Sequence, residues 1–455
     1  HPSKPGSNDA FVSPESPFVM ILDIATGTGT FLVEIIDVIH KTMKAKWQKQ
    51  GKREQEIVTL WNEYVPKHLL PRLYGYELMM APYAIAHMKI GLKLSETGYK
   101  FMSDERVRVY LTNTLEPPSD GQSRLSGIIP ALAHEAEAVN KVKKARRFTV
   151  VIGNPPYSNY GQLNRIPFIL DLLDDYKQGL EEKKINLDDD FIKFIRFAQW
   201  QIDSTGRGLL GFVTNHTYLE GITHRQMRKS LLGSFPSIKI LDLHGSMKKK
   251  ELPPPSMANE NVFDITIGVA ISLLVRGATN PETPAVYAEM WGTRDEKYAS
   301  LDARNCSTVV VNSINPQTPH FFLVQKALDG DSDYQQGVPL TDVFPLWKNG
   351  IQTDRDDLFV DFDKEVLEHR ILRLFRGDFD ETFRARYRVY ASSSFNIERR
   401  LAKSHFSTKN IKLCLYRPFD FRWLYYDPNL TSRPAFEVMS HLLESNVAIL
   451  CCRQQ

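Results

Sequence analysis

The feature that most constrains this chain is a strand, a glycine turn and a helix in immediate succession. Val19-Met-Ile-Leu22 is a short apolar run, Asp23-Ile-Ala-Thr-Gly-Thr-Gly-Thr-Phe31 follows, and apolar residues then recur at helical spacing from Leu32 to about Lys44. Gly27 and Gly29 permit a tight strand-to-helix turn and close approach of the backbone to a ligand. The string lacks the third glycine of the dinucleotide fingerprint, and no Gly-Lys-Ser/Thr follows, so a phosphate-binding P-loop is excluded. What remains is a cradle for a nucleotide-like molecule without phosphates, built from the strand-end Asp23 and the turn residues Ala25, Thr26, Gly27 and Gly29. Phe31 is expected in the core, and Asp23 to act through water.

Further short apolar runs fall at 73–76, 107–111, 148–152, 208–213, 238–243 and 265–275, with helical stretches between them. This alternation predicts βαβ units and a doubly wound, mainly parallel α/β sheet. Leu73-Tyr-Gly-Tyr-Glu77 reads as a second strand ending in an acid, the position that takes ribose hydroxyls in α/β cofactor folds. Glu77 lies much farther from Asp23 than the about 20 residues of the simple fingerprint. The excess is the charged segment from Lys41 to about Leu60, which reads as a helical insertion.

After the run Phe148-Thr-Val-Val-Ile152 comes Gly153-Asn-Pro-Pro-Tyr157. Prolines fix φ, lack an N–H and keep the chain extended, so their carbonyls stay free to accept. The Asn154 side-chain oxygen and the Pro155 carbonyl can together accept both hydrogens of one planar amino group. That acceptance frees the nitrogen lone pair for attack and stabilises the positive charge that develops on it. Tyr157 supplies a stacking face. The same residue types also build ordinary strand-ending turns, so the neighbouring motifs decide between the two readings.

In their order, DIATGTGTF, YGYE and VVIGNPPY resemble the S-adenosylmethionine-dependent N6-adenine DNA methyltransferases whose recognition region follows the catalytic motifs. GRGLLGFVTNHTYL, ending at Leu219, resembles the later strand pair of that fold. Asn261-Val-Phe-Asp-Ile-Thr-Ile-Gly-Val-Ala-Ile271 resembles the motif whose aromatic, here Phe263, closes the other face of the target-base pocket. LWKNGIQTDRDDL and YRPFDFRWLYYD resemble segments of large single-chain restriction-modification proteins that fuse nuclease, translocase, methyltransferase and recognition regions. The resemblance implies a Rossmann-like methyltransferase fold, S-adenosylmethionine as cofactor and double-stranded DNA as partner. It implies Asn154, Pro155, Tyr157 and Phe263 as catalytic residues. Asp23, Ala25, Thr26, Gly27, Gly29, Glu77, Asn113 and Asn154 are implied at the cofactor. Asn113, within Tyr110-Leu-Thr-Asn-Thr-Leu115, stands where the family often has an acid near the cofactor adenine. The family's motif upstream of the first strand is missing before Asp23, and the last residues, 446–455, read as a strand; both ends are expected to be cut.

At 455 residues, with 42% hydrophobic and 24% charged, the chain is expected to form two domains. The expected division is 1–304, a methyltransferase domain, and 305–455, the start of a DNA target-recognition region of α+β type. Residues 116–146 read as an insertion too short for a recognition domain. No apolar stretch approaches the roughly 20 residues needed to span a bilayer, and the polar start lacks a signal-peptide core. Four cysteines without metal-ligand spacing predict no metal and a reducing, cytoplasmic setting. Net charge is only +3, but Lys141–Arg147, Lys248–Lys250 and Thr223–Lys229 form basic clusters that are candidates for phosphate contact. Two other readings stay open: an NPPY enzyme acting on protein glutamine or RNA, and a DNA-binding module without chemistry.

Overall fold

The computed structural model describes residues 17–118, 130–157, 164–180, 182, 186–249, 251–277, 285–326, 333–334, 336–391 and 395–450. The chain divides into two compact units, His1–Ala327 and Leu328–Gln455.

In the first unit the elements run β1 (Ile21–Asp23), α1 (Thr30–Lys49), α2 (Glu54–Tyr64), β2 (Leu73–Glu77), α3 (Met80–Glu96), β3 (Arg108–Leu111), α4 (Pro130–Ala145) and β4 (Val150–Gly153). There follow α5 (Pro167–Lys177), α6 (Asp190–Thr205), β5 (Gly208–Asn215), α7 (Arg225–Ser234), β6 (Ser237–Asp242), β7 (Val269–Arg276), β8 (Ala285–Glu289), α8 (Arg294–Ala303) and β9 (Asn312–Ile314). The strands form one nine-stranded sheet in the order β3-β2-β1-β4-β5-β7-β6-β8-β9. β3, β2, β1, β4 and β5 pair in parallel, as do β6 and β8, while β7 and β9 pair antiparallel with their neighbours. The strand order reverses between β1 and β4, which opens a crevice at their carboxyl ends, the usual place for a ligand in such sheets.

Alternation along β2 shows how the sheet is covered on both sides. Tyr74 and Tyr76 pack into a core with Leu22, Phe148, Val151 and Phe212. Leu73 packs into a second core with Leu32, Ile36, Trp61, Ile90 and Val109. Successive strand residues face opposite ways, and both faces of β2 are apolar because both are buried. The helical insertion expected from Lys41 to Leu60 is the end of α1 and the first half of α2, and Trp47, Ile57 and Trp61 bury its inner side.

All seven anticipated strands are present in the anticipated order. The last of them starts at Val269 rather than at 265, because residues 261–268 form a hydrogen-bonded loop. The boundary expected near 305 lies inside the first unit: β9 pairs with β8, so the sheet continues beyond it. Residues 446–450 carry no strand, in contrast to the expectation, and 451–455 lie outside the described residues.

The second unit is α+β. Its antiparallel sheet has the order β10-β12-β11, with β10 at Val360–Asp361, β11 at Ile411–Arg417 and β12 at Asp420–Tyr425. The helix Lys364–Arg376 starts where the Asp363 carboxylate accepts the Glu365 and Val366 N–H groups, and it stops at Gly377 with φ +69°. Its Leu367, Ile371 and Leu374 share a core with Leu358, Phe359, Leu424 and Tyr425.

Candidate active site

The glycine turn joins β1 to α1. Gly27 and Gly29 have φ of +53° and +81°, a region costly for residues with a Cβ. A Cβ on Gly29 would lie 3.2 Å from Cα and Cβ of Ala86 on α3, so glycine also allows that close crossing. A Cβ on Gly27 would meet only the Ala25 carbonyl, at 4.0 Å; its surroundings are open. Thr26 is buried, and its hydroxyl donates to the Asp23 carbonyl at 3.1 Å. Gly75 makes room for it, since a Cβ there would lie 2.6 Å from Thr26 Oγ1.

Asp23 is fully buried. Its Oδ1 accepts the Ala25 N–H at 3.2 Å, while Oδ2 has no hydrogen-bond partner among the described residues. Burial pushes its carboxyl up to about 7, against the Ala25 bond and with help from the Glu77 charge. Glu77 is already at work in the turn: Oε2 accepts the Gly27 N–H and Oε1 the Met79 N–H, both at 2.8 Å. The acid read as a ribose ligand is thus held rigidly at the mouth of the turn with lone pairs to spare.

Asn113 follows β3. Its Oδ1 accepts the Leu115 N–H at 3.0 Å, and its Nδ2 donates to Asn164 Oδ1 at 3.0 Å. Asn164 in turn donates to Asp190, which pairs with the buried Lys193 at 2.9 Å. Lys143 of α4 donates to the carbonyls of Asn113 and Glu116 at 2.7 and 2.8 Å and lies 5.6 Å from the centre of the Tyr76 ring. Burial pulls its pKa down to about 8, opposed by the Glu116 charge. Lys143, counted in the Lys141–Arg147 cluster as a candidate for phosphate contact, is instead turned onto these carbonyls; the buried Val139 and Val142 beside it are the sequence signal for its inward position. None of Asn164, Asp190 and Lys193 stands out in the sequence.

Asn154 is exposed at the end of β4, Pro155 is buried, and Tyr157 is partly buried. The Tyr157 hydroxyl donates to Asn154 Oδ1 at 2.7 Å, and burial pushes the phenol pKa up. Tyr157 and Phe263 both pack on the small cluster Leu243, Val262, Val269 and Met290, so the two expected base-stacking aromatics meet at one core. Phe263 is fixed through its backbone: its N–H donates to Asn261 Oδ1 at 2.8 Å and its carbonyl accepts from Arg294 at 3.1 Å. Asn261 and Arg294, missed in the sequence, therefore hold the Phe263 backbone.

The basic segment Thr223–Lys229 does not offer the expected phosphate-binding face. Arg228 is fully buried and donates to the carbonyls of Tyr218, Gly221, His320 and Phe321. Burial lowers its pKa to about 9 and that of His224 to about 4. Arg225 pairs with Glu182. Among the described residues no helix is long and apolar enough to cross a membrane.

The carboxyl edge of the sheet thus combines a glycine turn, two acids and an NPPY strand end, the outline of a Rossmann-like methyltransferase domain. Residues 72–248 match the family described as Eco57I restriction-modification methylase, and residues 342–455 match the Type ISP C-terminal specificity domain. The fold is similar to that in the cryo-EM structure of a DrdV–DNA complex, at 24% identity and TM-score 0.60, covering 92% of this chain and 41% of that one. It is also similar to a nuclease-deletion mutant of the Type ISP restriction-modification enzyme LlaGI with a DNA substrate mimic, at 22% identity and TM-score 0.64, covering 92% of this chain and 35% of that one. The ATP-dependent Type ISP enzyme LlaBIII bound to DNA gives 22% identity and TM-score 0.63 over 93% of this chain and 28% of that one. The chain therefore spans well under half the length of these relatives. A search of curated proteins gives no match.

Proposed function

We propose that this chain is an adenine-specific DNA N6-methyltransferase, part of a restriction-modification protein, with S-adenosylmethionine as its cofactor. The observation that carries this reading is the placement of Asn154 and Tyr157 at the end of β4, in the same crevice as Asp23 and Glu77 at the ends of β1 and β2. The first unit carries the transfer, and the second reads the target sequence on double-stranded DNA. Nuclease and translocase regions belong to the full-length protein in this reading, and its setting is the cytoplasm.

The residues present fit the cofactor. Asp23 Oδ2 is an unpartnered buried acceptor, the space over Gly27 is open, and Glu77 is prefixed by two backbone donors. Asp23, Ala25, Thr26, Gly27 and Gly29 would hold the amino-acid portion, Glu77 the ribose, and Asn113 an adenine edge. When bound, the cofactor supplies an electrophilic methyl group.

The chain does the rest by positioning. A target adenine leaves the stack at a cost of a few kcal/mol, offset by stacking on Tyr157 and Phe263 and by polar contacts. Asn154 Oδ1 and the Pro155 carbonyl accept the two amino hydrogens, turn the nitrogen lone pair toward the methyl group and stabilise the charge formed on nitrogen. The surplus proton leaves to solvent after transfer.

Incubation with labelled cofactor and mixed unmethylated bacterial DNA, then nuclease digestion and mass spectrometry of the nucleosides, tests the reading. Labelled N6-methyladenine is expected. Label in N4-methylcytosine, or transfer only to protein or RNA, would overturn the adenine-specific DNA assignment.

A further inference from the structure

A second polar cluster lies along the same carboxyl edge. His216 follows β5, Asp242 ends β6, Glu289 ends β8, and His244 and Glu251 belong to the loop after β6. His216, Asp242 and His244 are all at least nine-tenths buried. His244 faces carboxylates on both ring nitrogens, Glu251 Oε1 at 3.2 Å from Nδ1 and Glu289 Oε2 at 3.3 Å from Nε2. A ring that donates from both nitrogens is an imidazolium. Asp242 Oδ1 accepts the His244 backbone N–H at 2.9 Å and lies 3.0 Å from His216 Nδ1. Its Oδ2 accepts the Tyr287 hydroxyl at 3.3 Å. Glu251 Oε2 accepts from the Ser246 N–H and from Asn259, and Trp291 stacks on the His244 ring at 3.6 Å. The carboxylates on both ring nitrogens make His244 the centre of a proton-holding clamp.

From His244 a short chain of bonds leads to the base-pocket wall. The next residue, Gly245, donates its N–H to Asn259 Oδ1 at 2.7 Å, and its carbonyl accepts from Asn261 at 3.0 Å. Asn261 also donates to the Ile267 carbonyl at 2.7 Å and accepts the Phe263 N–H at 2.8 Å. Gly245 has φ +84°, and a Cβ there would lie 2.5 Å from Asn261 Cα, so the crossing of these two strands of the loop is tight.

We propose that His244 is a positioning residue for target-base capture: an imidazolium clamped between Glu251 and Glu289, it fixes the loop residues 251–268 and so holds Phe263 on the cluster against which Tyr157 also packs. This rests on the reading of Phe263 as a wall of the base pocket. The charged and titratable groups facing the clamp are Asp242 from β6, Glu251 and Lys249 from the loop, Glu289 from β8 and His216 after β5. Lys297 of α8 donates to the carbonyls of Leu243 and Glu260 at 2.7 and 2.5 Å. Burial opposes the charge on His244, but the bond to Glu251 and the three carboxylates outweigh it and raise its pKa. The clamp is therefore closed below that raised value and opens as pH rises through it.

The test places a trifluoromethyl-phenylalanine at Phe263 in the full chain and follows its fluorine resonance from pH 5.5 to 9.5. One titration is expected, with a midpoint above that of an ordinary histidine. In Glu289→Gln, whose site is half-exposed and tolerant, the midpoint should drop by about one pH unit; in His244→Gln the titration should vanish. In transfer assays on mixed DNA, the KM for DNA should rise several-fold across the same window in the wild type and lose that rise in His244→Gln. A resonance that does not titrate, or a midpoint unmoved in Glu289→Gln, would overturn the proposal. If the resonance titrates as expected but no DNA is methylated at any pH, the clamp stands as loop geometry and the methyltransferase reading fails.

Discussion

The hydroxyl of Tyr157 donates to Oδ1 of Asn154 across 2.7 Å, so the oxygen proposed to accept a substrate amino group is held by its own neighbour. A target base must displace that bond, worth about 1 kcal/mol, or share the oxygen's second lone pair. Tyr157→Phe keeps the ring and removes the bond, and should leave the KM for DNA unchanged or lower it up to about fivefold. Tyr157→Ala also loses stacking of roughly 1–3 kcal/mol per base, and should raise the KM for DNA by about 5- to 150-fold. Steady-state kinetics on both variants separates the two roles.

Glu77 accepts two backbone N–H groups, one from each of the turns after β1 and β2. Glu77→Ala frees both donors and removes the proposed ribose acceptor together. Cofactor affinity by titration calorimetry should fall at least tenfold, a loss of about 1.4 kcal/mol. Unchanged affinity would remove Glu77 from the ribose site.

Asp23 titrates near 7 in the folded chain and near 3.8 as a free side chain. The folded state thus holds a proton that the unfolded chain gives up, and stability falls as pH rises from about 4 to about 7, by an amount on the order of a few kcal/mol. Asp23→Asn keeps the acceptor for the Ala25 N–H and removes the titration. Its melting temperature should match the wild type near pH 4 and exceed it near pH 8, measured without cofactor. Equal melting at both pH values would place the Asp23 pKa near its ordinary value.

Lys193 and Asp190 form a buried ion pair at 2.9 Å, and Asp190 also holds the Asn164 amide that supports Asn113. Lys193→Met strands a buried carboxylate and should cost about 3–5 kcal/mol of unfolding free energy. Adding Asp190→Asn should recover part of it. Urea unfolding of the single and double variants measures the coupling.

What was legible in the sequence was what the backbone itself demands. Gly27 and Gly29 stand where φ is positive, the β1 and β2 acids stand where strands end, and the apolar runs are strands because both sheet faces are buried. What was not legible depends on partners distant in sequence. Lys143 and Arg228 look like surface cations until the carbonyls that surround them are known. β9 is three residues long with only Ile314 buried, too short to show a pattern, and missing it displaced the expected boundary. Asn164, Asp190 and Lys193 matter only because the fold brings them beneath Asn113.

The central claim is that Asn154 activates an amino nitrogen of DNA. It is tested most directly by comparing wild type and Asn154→Ala for labelled methyl transfer to mixed unmethylated DNA, with cofactor affinity measured on the same samples. The account predicts loss of N6-methyladenine by at least about 100-fold, with cofactor affinity within a few fold of wild type. Undiminished transfer in Asn154→Ala would contradict it.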